Sequence, residues 1–195
     1  MGKKVLLGGL VGSVIVFLVS AAWHMAPGLG EIGVKAMPAE DSVLAGLRAS
    51  LHEPGLYFFP VPNMSAGRTK EQMKVDEAAY LEKYRQGPSG ILVYQPGGEG
   101  LNFGKLLAYE FLFGFVASFL IAWILALTAA ATTYGTRVLL VLLIPLFGAV
   151  IYDLPAWNWY GYPMSYTIAH SASWLVSWGA AGLAMARIVA IDKHP

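Results

Sequence analysis

The sequence predicts a mainly α-helical membrane protein, with four transmembrane helices and a small α/β extracytoplasmic insertion between helices 1 and 2. Three observations carry this. Hydrophobic residues make up 56% of the 195-residue chain and mean hydropathy is positive, which is a membrane composition. Apolar stretches long enough to cross a ~30 Å hydrocarbon core recur along the chain. Most charged residues crowd between positions 28 and 104, leaving those stretches nearly free of charge. A net charge of +1 offers nothing to nucleic acid. The absence of cysteine excludes disulfides, iron–sulfur clusters, covalent haem attachment and thiolate metal sites.

Lys3 and Lys4 precede an apolar run from Val5 to Trp23. The start resembles a signal peptide, and Val19-Ser20-Ala21 has the small residues of a cleavage site. The run is longer than a signal core, so residues 1–25 read as an uncleaved signal anchor and first transmembrane helix. Gly8 and Gly12 form a GxxxG pair, a face that lets another helix approach closely.

Residues 26–104 read as a periplasmic α/β domain. A helix from Glu40 to Glu53 places Val43, Leu44, Leu47 and Leu51 on one face, with two acids in its first turn. Pro54-Gly55 stops it, and a strand over 56–59 follows, closed by Pro60. A second helix, Lys70 to Arg85, ends at Gly87-Pro88, and a second strand, Ile91 to Tyr94, is closed by Pro96. Both strands are unbroken apolar runs, a pattern that buries both faces. Two strands and two helices cannot supply that cover. The domain is therefore expected to lean on the membrane surface, on the bundle or on a partner. Residues 97–100 (GlyGlyGluGly) read as a flexible link. They lack the strand-to-helix context and the Lys of a phosphate loop, so no nucleotide is expected.

Residues 105–190 hold three more helices, at about 106–131, 138–153 and 164–189. The middle one is short for a membrane crossing and is expected to continue through Asp153, with a kink at Pro145. Trp157, Trp159, Tyr160 and Tyr162 form an interfacial aromatic belt. The last helix carries a stripe of polar or small residues, His170, Ser173, Ser177 and Ala181, at helical spacing. Its hydroxyls are expected to bond across to other helices. Residues 191–195 read as a cytoplasmic tail. Lys3, Lys4, Arg137, Arg187 and Lys193 flank one side, and the 154–163 loop has no Lys or Arg. The positive-inside rule then puts both termini in the cytoplasm and residues 28–104 in the periplasm of a bacterial inner membrane.

Each helix brings one ionisable residue to the outer end: His24, Glu110, Asp153 and His170. Such groups are costly in a bilayer and mark candidate sites. Two imidazoles and two carboxylates suit a divalent metal, and a histidine could hold haem b or a pigment. The plainer reading is a hydrogen-bond network that pins the helices, because no HExxH or ExxH spacing occurs. Glu110 and His170 are expected to pair. His52 and His194 read as surface histidines. Met25, Met37, Met64 and Met73 lack the repeat spacing of a copper site. No Ser/His/Asp arrangement stands out, so no catalytic residue is assigned. The expectation is a non-catalytic accessory or scaffold subunit of a larger inner-membrane complex, with a respiratory or photosynthetic electron-transfer assembly as a host. Its partners would be other integral membrane subunits and lipid, with no cofactor, nucleic acid or nucleotide. The alternative is a metal-, haem- or pigment-binding membrane protein using the outer-face cluster.

Overall fold

The computed structural model describes residues 2–98 and 100–190. The expected tail 191–195, with Lys193 and His194, and Glu99 of the expected link lie outside the described residues. In chain order the elements are α1 (Gly2–Met25), α2 (Glu40–Ser50), β1 (Gly55–Phe59), α3 (Lys70–Gln86), β2 (Gly90–Tyr94), α4 (Phe103–Thr128) and α5 (Tyr134–Gly148). A π-helical turn (Ala149–Asp153), α6 (Leu154–Tyr160) and α7 (Met164–Ile188) complete them. Three helical runs are long and apolar enough to cross a membrane: Gly2–Met25, Phe103–Thr128 and Tyr134–Tyr160. The chain divides into two compact units, one from Met1–Lys35 with Leu101–Pro195, the other Ala36–Gly100.

In the first unit α7 lies against both α1 and α5, and α1 also lies against α4. Burial on α7 follows helical spacing, with Ser173, Ser177, Ala181 and Met185 all closed off from solvent. A helix surrounded in this way can carry serines that a lipid-facing helix would not. Gly8, Gly9 and Gly12 let α1 sink into its neighbours. An added Cβ at Gly12 would lie 2.6 Å from Met185 Sδ, at Gly8 2.9 Å from a Val189 methyl, and at Gly9 3.0 Å from the Phe119 backbone. The GxxxG face is therefore filled by this chain's own α7 and α4, and is not open to another subunit. Two further expectations change. The hydroxyls of the α7 stripe do not bond across helices: Ser173 donates to the His170 carbonyl and Ser177 to the Ser173 carbonyl, both at 2.8 Å. Serine in a helix can satisfy itself on the preceding turn, which leaves the contact surface smooth. The segment 26–35, expected in the periplasmic domain, belongs with the helices. Gly33, at φ +79°, crosses Tyr166 so closely that a Cβ there would lie 2.5 Å from the Tyr166 Cβ.

The third run is longer than its sequence suggested. Pro145 has no N–H to donate, and the ladder widens to a π turn just beyond it, where the Leu154 N–H reaches the Ala149 carbonyl. Pro155 is then accommodated in the first turn of α6. The chain thus stays helical to Tyr160, so Trp157, Trp159 and Tyr160 stand on a helix and not in a loop, with Tyr162 just beyond Gly161. All four rings are exposed.

One end of this unit gathers the cations. Lys4 Nζ donates to the Ala190 carbonyl. The buried Arg137 donates to the Ala186 and Thr132 carbonyls at 3.0 and 2.8 Å, and the Arg187 guanidinium lies 5.5 Å from the Tyr134 ring centre. Guanidinium groups are stabilised there by the negative ends of α4 and α7.

In the second unit β1 and β2 pair antiparallel, with Leu56 opposite Val93 and Tyr57 opposite Leu92. Thr69 caps α3 with a reciprocal box to Gln72. Neither α2 nor α3 buries a single residue. The sheet has one covered face, where Tyr57 and Tyr94 meet edge to face, and one bare apolar face. On the bare face Leu56 is 58% and Val93 73% exposed. The unbroken apolar strands called for cover on both faces that two short helices were not expected to supply, and one face is indeed left uncovered within the unit.

Candidate functional site

The polar end of the bundle is built around α7. Four-residue steps on this helix stack Tyr166, His170 and Trp174 along one face, and Tyr162, ahead of the helix, meets Tyr166 edge-on. Tyr166 and His170 are nearly parallel at 5.6 Å, and Trp174 meets His170 edge-on at 6.2 Å. The π turn adds a residue to the ladder and so rotates the downstream residues by about 100° relative to a straight α-helix. It ends at Asp153, whose two oxygens receive His170 Nδ1 at 3.1 Å and Ser171 Oγ at 2.6 Å. Trp174 Nε1 lies 3.3 Å from His170 Nε2. An indole N–H can only donate, so Nε2 accepts and the imidazole proton sits on Nδ1, directed at Asp153. Both ring nitrogens of His170 are therefore engaged.

This overturns the expected Glu110–His170 pair. The carboxylate that reaches His170 is Asp153, delivered by a turn whose widening sequence reasoning did not anticipate. Glu110 stands seven residues into α4, about 10 Å along its axis, and has no hydrogen-bond or ion-pair partner among the described residues. His24, on the last turn of α1, holds the Ser20 carbonyl through Nδ1 at 2.8 Å. A carbonyl only accepts, so that nitrogen carries the proton and Nε2 is left as an acceptor.

The four residues occupy one end of the bundle but two cavities. A cavity of about 580 Å³ between α1, α4 and α7 is lined by His24, Glu110 and His170, with Phe17, Phe113, Trp174 and Trp178 as apolar walls. A second, of about 470 Å³, lies between α4, α7 and the α5–π segment and is lined by His170 and Asp153 with Pro145, Tyr152 and Ile124. His170, Trp174 and Trp178 form the wall between them. Among the described residues no three His, Asp or Glu side chains converge as a metal site. The expected cluster is thus a hydrogen-bonded pair, Asp153–His170, beside two separate acceptors, His24 and Glu110. Of the two histidines at this end, His170 has both ring nitrogens engaged, and a haem iron would find a free one on His24.

Sequence reading missed Ser171, Trp174 and Tyr166. The available signal was an aromatic or imidazole ring at every fourth position from Tyr162 to Trp178. No family model, no curated protein and no solved structure matches this chain.

Proposed function

We propose that the chain is a non-catalytic accessory subunit of a larger membrane assembly, with its contact to a partner made through the Ala36–Gly100 unit. One observation carries the reading. Leu56 and Val93 are register partners on the bare face of a two-stranded sheet, and both are more exposed than not. A unit with no buried helix residue and an uncovered apolar sheet face is short of core, and association supplies what it lacks. The glycine and serine faces of α1 and α7 no longer argue for partners, because they are used inside the chain.

In this reading α7, with 25 residues, is a fourth span. The end holding Lys4, Arg137 and Arg187 faces the cytoplasm of a bacterial inner membrane, and residues 36–100 face the periplasm. A periplasm-active reporter fused after Gly98 gives signal and one fused after Arg187 does not; the reverse pattern overturns the orientation. For association, the wild-type chain extracted in mild detergent migrates with larger partners. The double change Leu56→Ser with Val93→Ser releases it as a free chain and leaves the melting of the bundle unchanged. A wild-type chain that is free under every gentle extraction sinks the accessory reading.

A further inference from the structure

We infer that the cavity between α1, α4 and α7 binds an apolar molecule whose head group donates hydrogen bonds. This is a ligand site of the bundle and stands independently of the accessory role. The volume, about 580 Å³, lies in the range of small-molecule sites, roughly 300–1,000 Å³. Its body is apolar, with Phe17, Trp174 and Trp178 among its walls. Its polar groups are what select the head. Glu110 has no partner among the described residues, and a carboxylate only accepts. His24 spends its ring proton on the Ser20 carbonyl and presents Nε2 as a second acceptor. His170, the third titratable group on the wall, is closed by Asp153 and Trp174 and competes for nothing.

His24 and Glu110 are both exposed, at the mouth of one apolar cavity, where their acceptors are open to a donor brought by a ligand. A lipid acyl chain in the cavity leaves both unsatisfied. A ligand with hydroxyl or ammonium donors at one end satisfies them and places its apolar body against the indoles. The shared chemistry is a donor head on an apolar body, as in a phenol, a hydroquinone or a long-chain amine.

Gly114 provides a test that leaves the fold alone. It lines the cavity, and a Cβ added there meets nothing within 4 Å. Gly114→Leu therefore projects into the empty space while improving the helix propensity of α4. The full chain in detergent micelles is titrated anaerobically with decylhydroquinone, decylphenol, 1-decyl-2,5-dimethoxybenzene and decylamine, and binding is read by equilibrium dialysis. Saturable binding of the donor-bearing probes is expected, with the dimethyl ether weaker by at least about tenfold. Decylamine tighter than decylhydroquinone identifies a cationic head paired with Glu110, and the reverse identifies a neutral hydroxyl. Glu110→Leu lowers affinity for the donor probes towards that of the ether. Gly114→Leu removes saturable binding with an unchanged or raised melting temperature. Equal binding of the ether and the hydroquinone overturns the inference, as does unchanged binding by the stably folded Gly114→Leu protein.

Discussion

The two compact units solve the burial problem in opposite ways. In the helical unit, glycines bring backbones together, serines return their hydroxyls to the preceding turn, and Val5, Leu125, Val141 and Met185 close a continuous core. In the Ala36–Gly100 unit the same chain places apolar side chains on a sheet and leaves one face bare, over helices that bury nothing. The local signals in the second unit are at least as good: a full capping box, acids in first turns, and proline and glycine stops. Good local signals make secondary structure, but only area removed from water makes a core. The helical unit buries a continuous core, and the other keeps an apolar sheet face uncovered.

The largest effect that sharpens this contrast is expected at Gly9. Its neighbour is the Phe119 backbone, which cannot rotate away, so Gly9→Leu forces α1 from α4. The expected loss is about 3 kcal/mol of bundle stability, read by thermal unfolding in detergent. Gly12 faces Met185, a flexible side chain, so Gly12→Ala is milder than Gly9→Ala. Full tolerance of Gly9→Leu breaks the view of a tightly closed bundle.

Next in size is the Asp153–His170 node. Asp153→Ala strands His170 and Ser171, and His170→Ala strands Trp174 and one Asp153 oxygen, each costing about 1–3 kcal/mol. The double change costs less than the sum. Glu110→Ala with His170→Ala, in contrast, couples more weakly than the Asp153–His170 pair, because the two line one cavity but make no direct bond. Coupling between Glu110 and His170, with none between Asp153 and His170, overturns the node.

This pair also separates what the sequence makes legible from what it hides. The three apolar runs and the stops at Pro54 and Gly87 depend on neighbours in sequence and were legible, whereas the caps at Thr69 and Thr133 went unread. That His24, Glu110, Asp153 and His170 share one end follows from helix lengths and was legible too. Which of them touch was not. That depends on the angular phase of each helix, and one extra residue in the turn before Asp153 resets the phase. The partner of the GxxxG face was equally hidden, since Gly8 and Gly12 allow close approach by any helix. The bare sheet face was visible in outline: the unbroken apolar runs called for cover on two sides that two short helices could not supply, without saying which side would lack it.

In the Ala36–Gly100 unit, Thr69→Ala removes the acceptor of the Gln72 N–H and one half of the capping box. The expected cost is about 1 kcal/mol, confined to α3. Hydrogen exchange should quicken in the first turn of α3 and stay unchanged in α1, α4 and α7. A spread of faster exchange into those helices would mean that the two units unfold as one, and the contrast between them would dissolve.

The smallest effect is the most discriminating test of the bundle's completeness. Ser118 is fully buried on α4, and its hydroxyl has no hydrogen-bond partner among the described residues. Ser13, Ser173 and Ser177, equally small and also buried, all return their hydroxyls to a carbonyl of their own helix. A buried hydroxyl without a partner carries a desolvation cost and no compensating bond. Ser118→Ala should therefore be neutral or stabilising by up to about 1 kcal/mol, whereas Ser177→Ala loses a made bond and should be slightly destabilising. The difference in melting temperature between these two variants measures whether a helical serine is retained for its hydrogen bond or merely for its size. If Ser118→Ala destabilises more than Ser177→Ala, its hydroxyl has a partner in the assembled protein, and the bundle is not complete on its own.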